Sequence, residues 1–147
     1  MKLADLLADR FEIERQIAKG GMGEVFRARD RLSGEAVAIK VLFDERGHRT
    51  ARFAREVDVL AELSHPGIVR YIAHGETPSG EIFLAMEWLD GEDLGARLAR
   101  EPLTMGEAIT LATRVAQALG AAHARGIVHR APSPAAKAYM TTVENRR

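Results

Sequence analysis

Three glycines lie close together between two segments that both have the composition of a β-strand. The predicted strands cover residues 11–17 and 24–29, and Gly20, Gly21 and Gly23 lie between them. A glycine-rich segment taken alone is most often a tight turn. Here a second strand follows rather than a helix, which argues against a dinucleotide-binding βαβ unit, where a helix amino terminus meets the pyrophosphate. The pattern therefore predicts a hairpin whose tip, without side chains, can lie close over a ligand.

The remainder of the chain divides into a strand-rich part and a helical part. Three more strands are predicted, over residues 35–43, 69–74 and 82–86. Apolar side chains that recur every three or four residues predict helices, over residues 50–63, 92–100 and 105–125. We therefore expect an α+β fold, with a five-stranded antiparallel sheet plus one helix over 9–90, the start of a helical lobe over 91–130, and a divergent tail, a candidate for disorder, over 131–147.

The composition excludes several classes of protein and site. With 21 basic and 21 acidic residues the formal net charge is zero, so there is no electrostatic case for binding nucleic acid or a membrane surface. The chain has no cysteine, and its five histidines have no recurring ligand spacing, so we expect no metal site. No apolar run approaches the roughly 18 residues of a membrane span. Acidic residues near the start do not fit a signal peptide, and a cytoplasmic location is expected.

The strand predicted over residues 35–43 places a lysine beside a small residue. Side chains alternate along a strand, so Ala38 and Lys40 share one face, and the neighbouring valines and isoleucine share the other. In one interpretation a flat base lies on Ala38 while Lys40 reaches phosphate oxygens. In the other, Lys40 is an ordinary surface lysine on an edge strand. This segment alone does not decide between them.

Glu56 lies on the apolar stripe of the helix predicted over residues 50–63. It follows Phe53 by three residues and precedes Leu60 by four. A carboxylate in such a position is costly unless it is paired, and Lys40 is a natural partner. The alternative is a glutamate at the margin of the stripe whose side chain bends out to water.

Together these segments resemble the amino-terminal half of the eukaryotic-type protein kinase domain, in the form found in bacterial serine/threonine kinases. The resemblance covers about residues 9–130. After the glycine segment it rests on further motifs in the same order and spacing, at residues 37–40, 55–56, 65–69, 86–88 and 122–130. It implies an ATP-binding protein whose protein substrate or partner is unknown.

The resemblance implies how the adenosine would be held. Three apolar side chains would line the adenine pocket: Ile17, Val25 and Ala38. Met86 would be the gatekeeper, and backbone groups of Glu87 and Leu89 would bond the edge of the base. Asp93 is placed to contact the ribose.

It also implies how the phosphates would be held. Lys40, paired with Glu56, would contact the α- and β-phosphates. The loop above them would consist of Ala18, Gly20, Gly21 and Gly23. Ala18 stands where the family has its first loop glycine, and its methyl group is expected to stiffen the loop and to be a source of strain.

The catalytic loop of the family reads His-Arg-Asp followed by four residues and Asn, and this chain departs from it. Ala131 stands at the aspartate position and Ala136 at the asparagine position, and no Asp-Phe-Gly follows. The magnesium ion expected for the family therefore lacks its ligands here. We expect a truncated or frame-shifted kinase that binds ATP and does not transfer phosphate alone. The alternatives are a non-catalytic, pseudokinase-like interaction module, with the apolar stripe of helix 105–125 uncovered, and an inert gene remnant.

Overall fold

A computed structural model of the chain describes residues 6–7, 9–20, 23–42, 57 and 61–126. The chain forms two compact units. The first comprises Met1–Glu62 and Arg70–Trp88, and the second comprises Leu63–Val69 and Leu89–Arg147. The boundaries predicted from sequence, 9–90, 91–130 and 131–147, stay predictions.

The first unit contains an antiparallel sheet. Its strands are β1 (Leu6–Leu7), β2 (Phe11–Gly20), β3 (Gly23–Asp30), β4 (Ala36–Leu42), β5 (Tyr71–Glu76) and β6 (Ile82–Glu87), in the order β1-β2-β3-β4-β6-β5. The five predicted strands are confirmed. Strand β1 is additional, because two residues are too few for alternation to show in a sequence.

One face of the sheet forms the core of this unit. Alternate residues of β3 and β4 point into it, namely Phe26, Ala28, Val37, Ile39 and Val41, together with Phe11, Ile13, Phe83 and Ala85. The rings of Phe11 and Phe83 meet edge to face, with their centroids 6.0 Å apart. Because side chains alternate, Ala38 and Lys40 lie on the opposite face, which we call the outer face.

The second unit contains two helices, α1 (Leu94–Arg100) and α2 (Met105–Ala124), which confirm the helices predicted over 92–100 and 105–125. α1 begins later than predicted because Asp93 caps it: its Oδ1 accepts a hydrogen bond from the Ala96 backbone N–H at 2.7 Å. α2 begins with a reciprocal capping box between Thr104 and Glu107.

Three sequence expectations concern regions of which the structure describes only a part. Of the helix predicted over 50–63, Val57, Ala61 and Glu62 are helical, and the other residues up to 60 lie outside the described part of the chain. Among the residues described, neither helix is long and apolar enough to cross a membrane. Nor does that part of the chain contain a group of three acidic or histidine side chains placed to hold a metal ion.

Candidate nucleotide-binding site

Two rows of residues cross the outer face from strand to strand. In the first row Lys40 of β4 pairs with Val25 of β3 and with Leu84 of β6. In the second row Ala38 of β4 pairs with Arg27 of β3 and with Met86 of β6. Directly opposite side chains in antiparallel strands lie roughly 5 Å apart, so each row is a continuous surface. Leu84 and Met86 are buried but do not belong to the core cluster, which agrees with their position on the outer face.

Lys40 provides one positive charge of this face. It is half-buried, and burial lowers the pKa of its ammonium group, because removing the charged form from water is unfavourable. Its expected partner Glu56 lies outside the described residues, so the predicted Lys40–Glu56 pair stays a prediction. The strand alternation that places Lys40 beside Ala38 follows directly from the sequence.

The glycine segment forms the tip of the hairpin between β2 and β3. Gly20 pairs with Gly23, and an ion pair of 2.7 Å between Lys19 and Glu24 flanks them. Gly21 and Met22 lie outside the described residues. Gly23 has a φ of +146°, and a Cβ at this position would lie 2.1 Å from the carbonyl oxygen of Val41. Gly23 is therefore required by the backbone itself.

Ala18 lies in β2, directly after an irregularity in the pairing of β2 with β3. It pairs with Val25 within the extended part of β2. Among the residues described, the only one other than glycine with a positive φ is Asp9. Ala18 thus has no positive φ, and the expectation that its methyl group stiffens or strains the loop stays a prediction.

The remaining residues expected at the adenine pocket lie in both units. In the first unit Ile17 is 42% exposed, whereas Met86 is 5% exposed. The Glu87 backbone N–H donates a hydrogen bond to the Arg70 carbonyl at 3.0 Å. This N–H is therefore already bonded and is not open to the edge of a base. Leu89 and Asp93 belong to the second unit.

Asp93 has a structural role that the sequence analysis missed. Its carboxylate caps α1, as described above. The signal was available, because aspartate directly before a helix is a preferred N-cap. The ribose contact implied for Asp93 stays a prediction.

Arg27 lies on the outer face of the sheet, and the sequence analysis did not identify it as a site residue. It lies opposite Ala38, and its guanidinium carbon is 5.4 Å from the centroid of the Trp88 ring. Alternation from Val25 would have placed Arg27 on the outer face. Its contact with Trp88 could not be predicted in this way, because Trp88 follows β6 and is distant from Arg27 in the sequence.

The comparisons with known proteins agree with this geometry. The family described as "Protein kinase domain" matches residues 11–131. The chain belongs to the protein kinase family. Its resemblance to bacterial serine/threonine kinases is thereby confirmed, and the family implies the use of ATP and magnesium.

Several bacterial kinases are similar to this kinase-family chain. The serine/threonine-protein kinase pkn3 of Myxococcus xanthus is 38% identical over 134 residues, which cover 87% of this chain and 24% of pkn3. The probable serine/threonine-protein kinase PknB of Lactococcus lactis is 38% identical over 139 residues, which cover 91% of this chain and 22% of PknB. The chain thus spans about a quarter of the length of these curated relatives.

The fold is also that of solved kinases. The crystal structure of the Mycobacterium tuberculosis PknI kinase domain matches with a TM-score of 0.79 and 33% sequence identity, covering 92% of this chain and 55% of that one. The match supports the expected kinase small lobe and the first helices of a large lobe. These comparisons favour a kinase-family chain over the alternative of a non-catalytic interaction module.

Proposed function

We propose that the outer face of the sheet binds ATP. The observation that carries this proposal is the placement of Ala38 beside Lys40 on that face, where a small apolar surface adjoins a half-buried cation. A purine would lie on Ala38 and Val25, with Met86 at its side. The phosphates would extend toward Lys40, under the hairpin tip that Gly23 closes.

The electrostatics of Lys40 favour an anionic ligand. Burial lowers the pKa of Lys40, because partial removal from water disfavours the protonated form of its ammonium group. A bound phosphate would stabilise the protonated form and so raise that pKa. By linkage, the same interaction contributes to the affinity for the phosphate. Glu56 would supply a second counter-charge and hold Lys40 extended.

The other roles implied by the family belong to the same proposal. Leu89 would bond the edge of the base and Asp93 the ribose. Residues 9–90 would form the small lobe and hinge, and residues 91–130 the start of the large lobe. Because ATP is the ligand, we place the chain in the cytoplasm. Serine/threonine phosphorylation of a protein substrate would be the activity of a complete kinase domain of this family.

We further propose that this chain binds ATP without transferring its γ-phosphate. Phosphoryl transfer depends on metal ions that neutralise charge and on an aspartate that orients the acceptor hydroxyl. The sequence has Ala131 and Ala136 at two of the positions concerned. Both lie outside the described residues, so this part of the proposal rests on the sequence. Magnesium would then enter only with the nucleotide.

Replacing Lys40 by methionine should weaken ATP binding at least tenfold. Methionine retains most of the length and apolar surface of lysine but cannot contact phosphate. Isothermal titration calorimetry with MgATP should give the unmodified chain a high-micromolar or weaker dissociation constant, about −5 kcal/mol. Arg31→Met is the matched control, because Arg31 is exposed in the turn between β3 and β4, and it should leave the affinity unchanged. Equal affinity for the parent chain and Lys40→Met would contradict the proposal.

A further inference from the structure

Ala38 is the small member of a row in which both neighbours are large. Arg27 pairs with it on one side and Met86 on the other. A base that lies on Ala38 is therefore limited laterally in two directions. The resemblance to kinases assigned a limiting role to Met86 and none to Arg27.

Arg27 is held in this position from two sides. Its guanidinium carbon lies 5.4 Å from the centroid of the Trp88 ring, a cation–π arrangement. It also pairs with the carboxylate of Glu14, which in addition lies 3.3 Å from Arg29. An arginine with both contacts has less freedom to turn away from the row than one that ends in water.

Glu14 lies at a β-bulge of strand β2. The register of β2 against β3 passes from Ile13, which pairs with Ala28, to Arg15, which pairs with Arg27, so Glu14 has no partner of its own. Ile13 points into the core, so alternation alone places Glu14 on the outer face. The bulge leaves Glu14 as the extra residue beside the pair of Arg15 and Arg27. There the Glu14 carboxylate pairs with both Arg27 and Arg29.

We propose that Arg27 is a specificity-determining residue that limits the size of the base on the side opposite Met86. Held by Glu14 and Trp88, it admits an unsubstituted adenine and excludes adenine nucleotides that carry a bulky group on that side. This inference rests on the proposed binding of ATP to the outer face. The residues that carry it all belong to the first unit, namely Glu14, Arg27, Ala38, Met86 and Trp88.

The test compares ATP with two analogues that carry a benzyl group on adenine, one at N6 and one at C2. Truncation by Arg27→Ala should raise the affinity for at least one analogue, relative to ATP, by about tenfold. Calorimetry of the full chain with each of the three nucleotides gives the ratio of the affinity for each analogue to the affinity for ATP. No change in the ratio for either analogue would overturn the inference.

Two matched variants separate size from charge and from fold. Arg27→Met keeps the volume without the charge and should not gain affinity for the analogues; a gain equal to that of Arg27→Ala would overturn the inference. Arg29→Ala removes the other partner of Glu14 but lies outside the row, opposite Ala36, and should also leave the ratio unchanged.

The single tryptophan of the chain gives an independent measure of the contact. Arg27→Ala should shift the emission of Trp88 while the far-ultraviolet circular dichroism stays the same. Should Arg27→Ala fail to fold, Arg27→Val shortens the same side chain with a residue that favours a β-strand, and a gain in the same direction is expected; no gain overturns the inference. Absence of ATP binding by the parent chain would contradict the proposed function, whereas normal ATP binding with an unchanged ratio would contradict this inference alone.

Discussion

Replacing Gly23 by alanine should destabilise the strand-rich unit by about 3 kcal/mol or more, since strained backbone and unavoidable overlap both contribute. The φ of +146° at Gly23 is rarely adopted by residues with a side chain. The added Cβ would lie 2.1 Å from the Val41 carbonyl oxygen and 3.1 Å from its carbon. These are backbone atoms of the neighbouring strand β4, so relief would require β3 and β4 to separate.

Urea unfolding followed by circular dichroism measures this effect, and Gly20→Ala is the matched control. A Cβ at Gly20 would meet no atom within 4 Å, and its φ is not in the left-handed region. Its free energy of unfolding should change by less than about 1 kcal/mol, since alanine replaces glycine in an extended segment. Equal stabilities for Gly23→Ala and Gly20→Ala would contradict the hairpin geometry described above.

Replacing Arg10 by alanine should have the second largest effect and lower the free energy of unfolding by on the order of 3 kcal/mol. This value is at the lower end of the range for breaking a buried ion pair, because the Arg10 side chain is partly exposed to water. Asp30 is 2% exposed. Its two carboxylate oxygens accept from Arg10 Nε at 2.8 Å and from Nη2 at 2.6 Å. The backbone N–H of Leu32 also donates to it, at 3.0 Å. Without Arg10 the buried Asp30 carboxylate would lose its counter-charge and two of its hydrogen bonds, and it would keep the bond from Leu32.

The same pair predicts a dependence on pH. The hydrogen bonds from Arg10 hold the pKa of Asp30 below its ordinary value. The stabilisation is therefore fully present above the unfolded pKa of about 4, and it is lost as the pH falls through the lower folded pKa. The difference in unfolding free energy between the parent chain and Arg10→Ala should shrink in acid. Arg31→Ala, at an exposed neighbouring position, should follow the parent chain at every pH, and parallel curves for the parent and Arg10→Ala would contradict this origin.

The sequence predicted the local structure better than the contacts between distant segments. The alternation in residues 35–43 correctly divided Val37, Ile39 and Val41 from Ala38 and Lys40 because a strand has a fixed period of two. The pairing of Arg10 with Asp30 spans 20 positions in the chain. Nothing local marks such a partner, since it is chosen by how β2 meets the end of β3.

The candidate site shows the same limit. The glycine segment and Lys40 could be found from the sequence because they occur with further motifs in an order and spacing typical of one family. The row of Arg27, Ala38 and Met86 could not, since it depends on the register of three strands, one of which lies more than 40 residues away. The sequence signalled neither the bulge at Glu14 nor the position of Trp88 against Arg27.

The most direct test of ATP binding at Lys40 is its protection from chemical modification. An acylating reagent modifies the unprotonated amine of a lysine, a form that the lowered pKa of the half-buried Lys40 favours, and bound phosphate would block the reaction. Mass spectrometry of the digested chain, labelled with and without saturating MgATP, measures each lysine separately. We predict that ATP strongly reduces the labelling of Lys40 and leaves that of Lys2, which is not part of the proposed site, unchanged. Equal labelling of Lys40 with and without ATP would contradict the account.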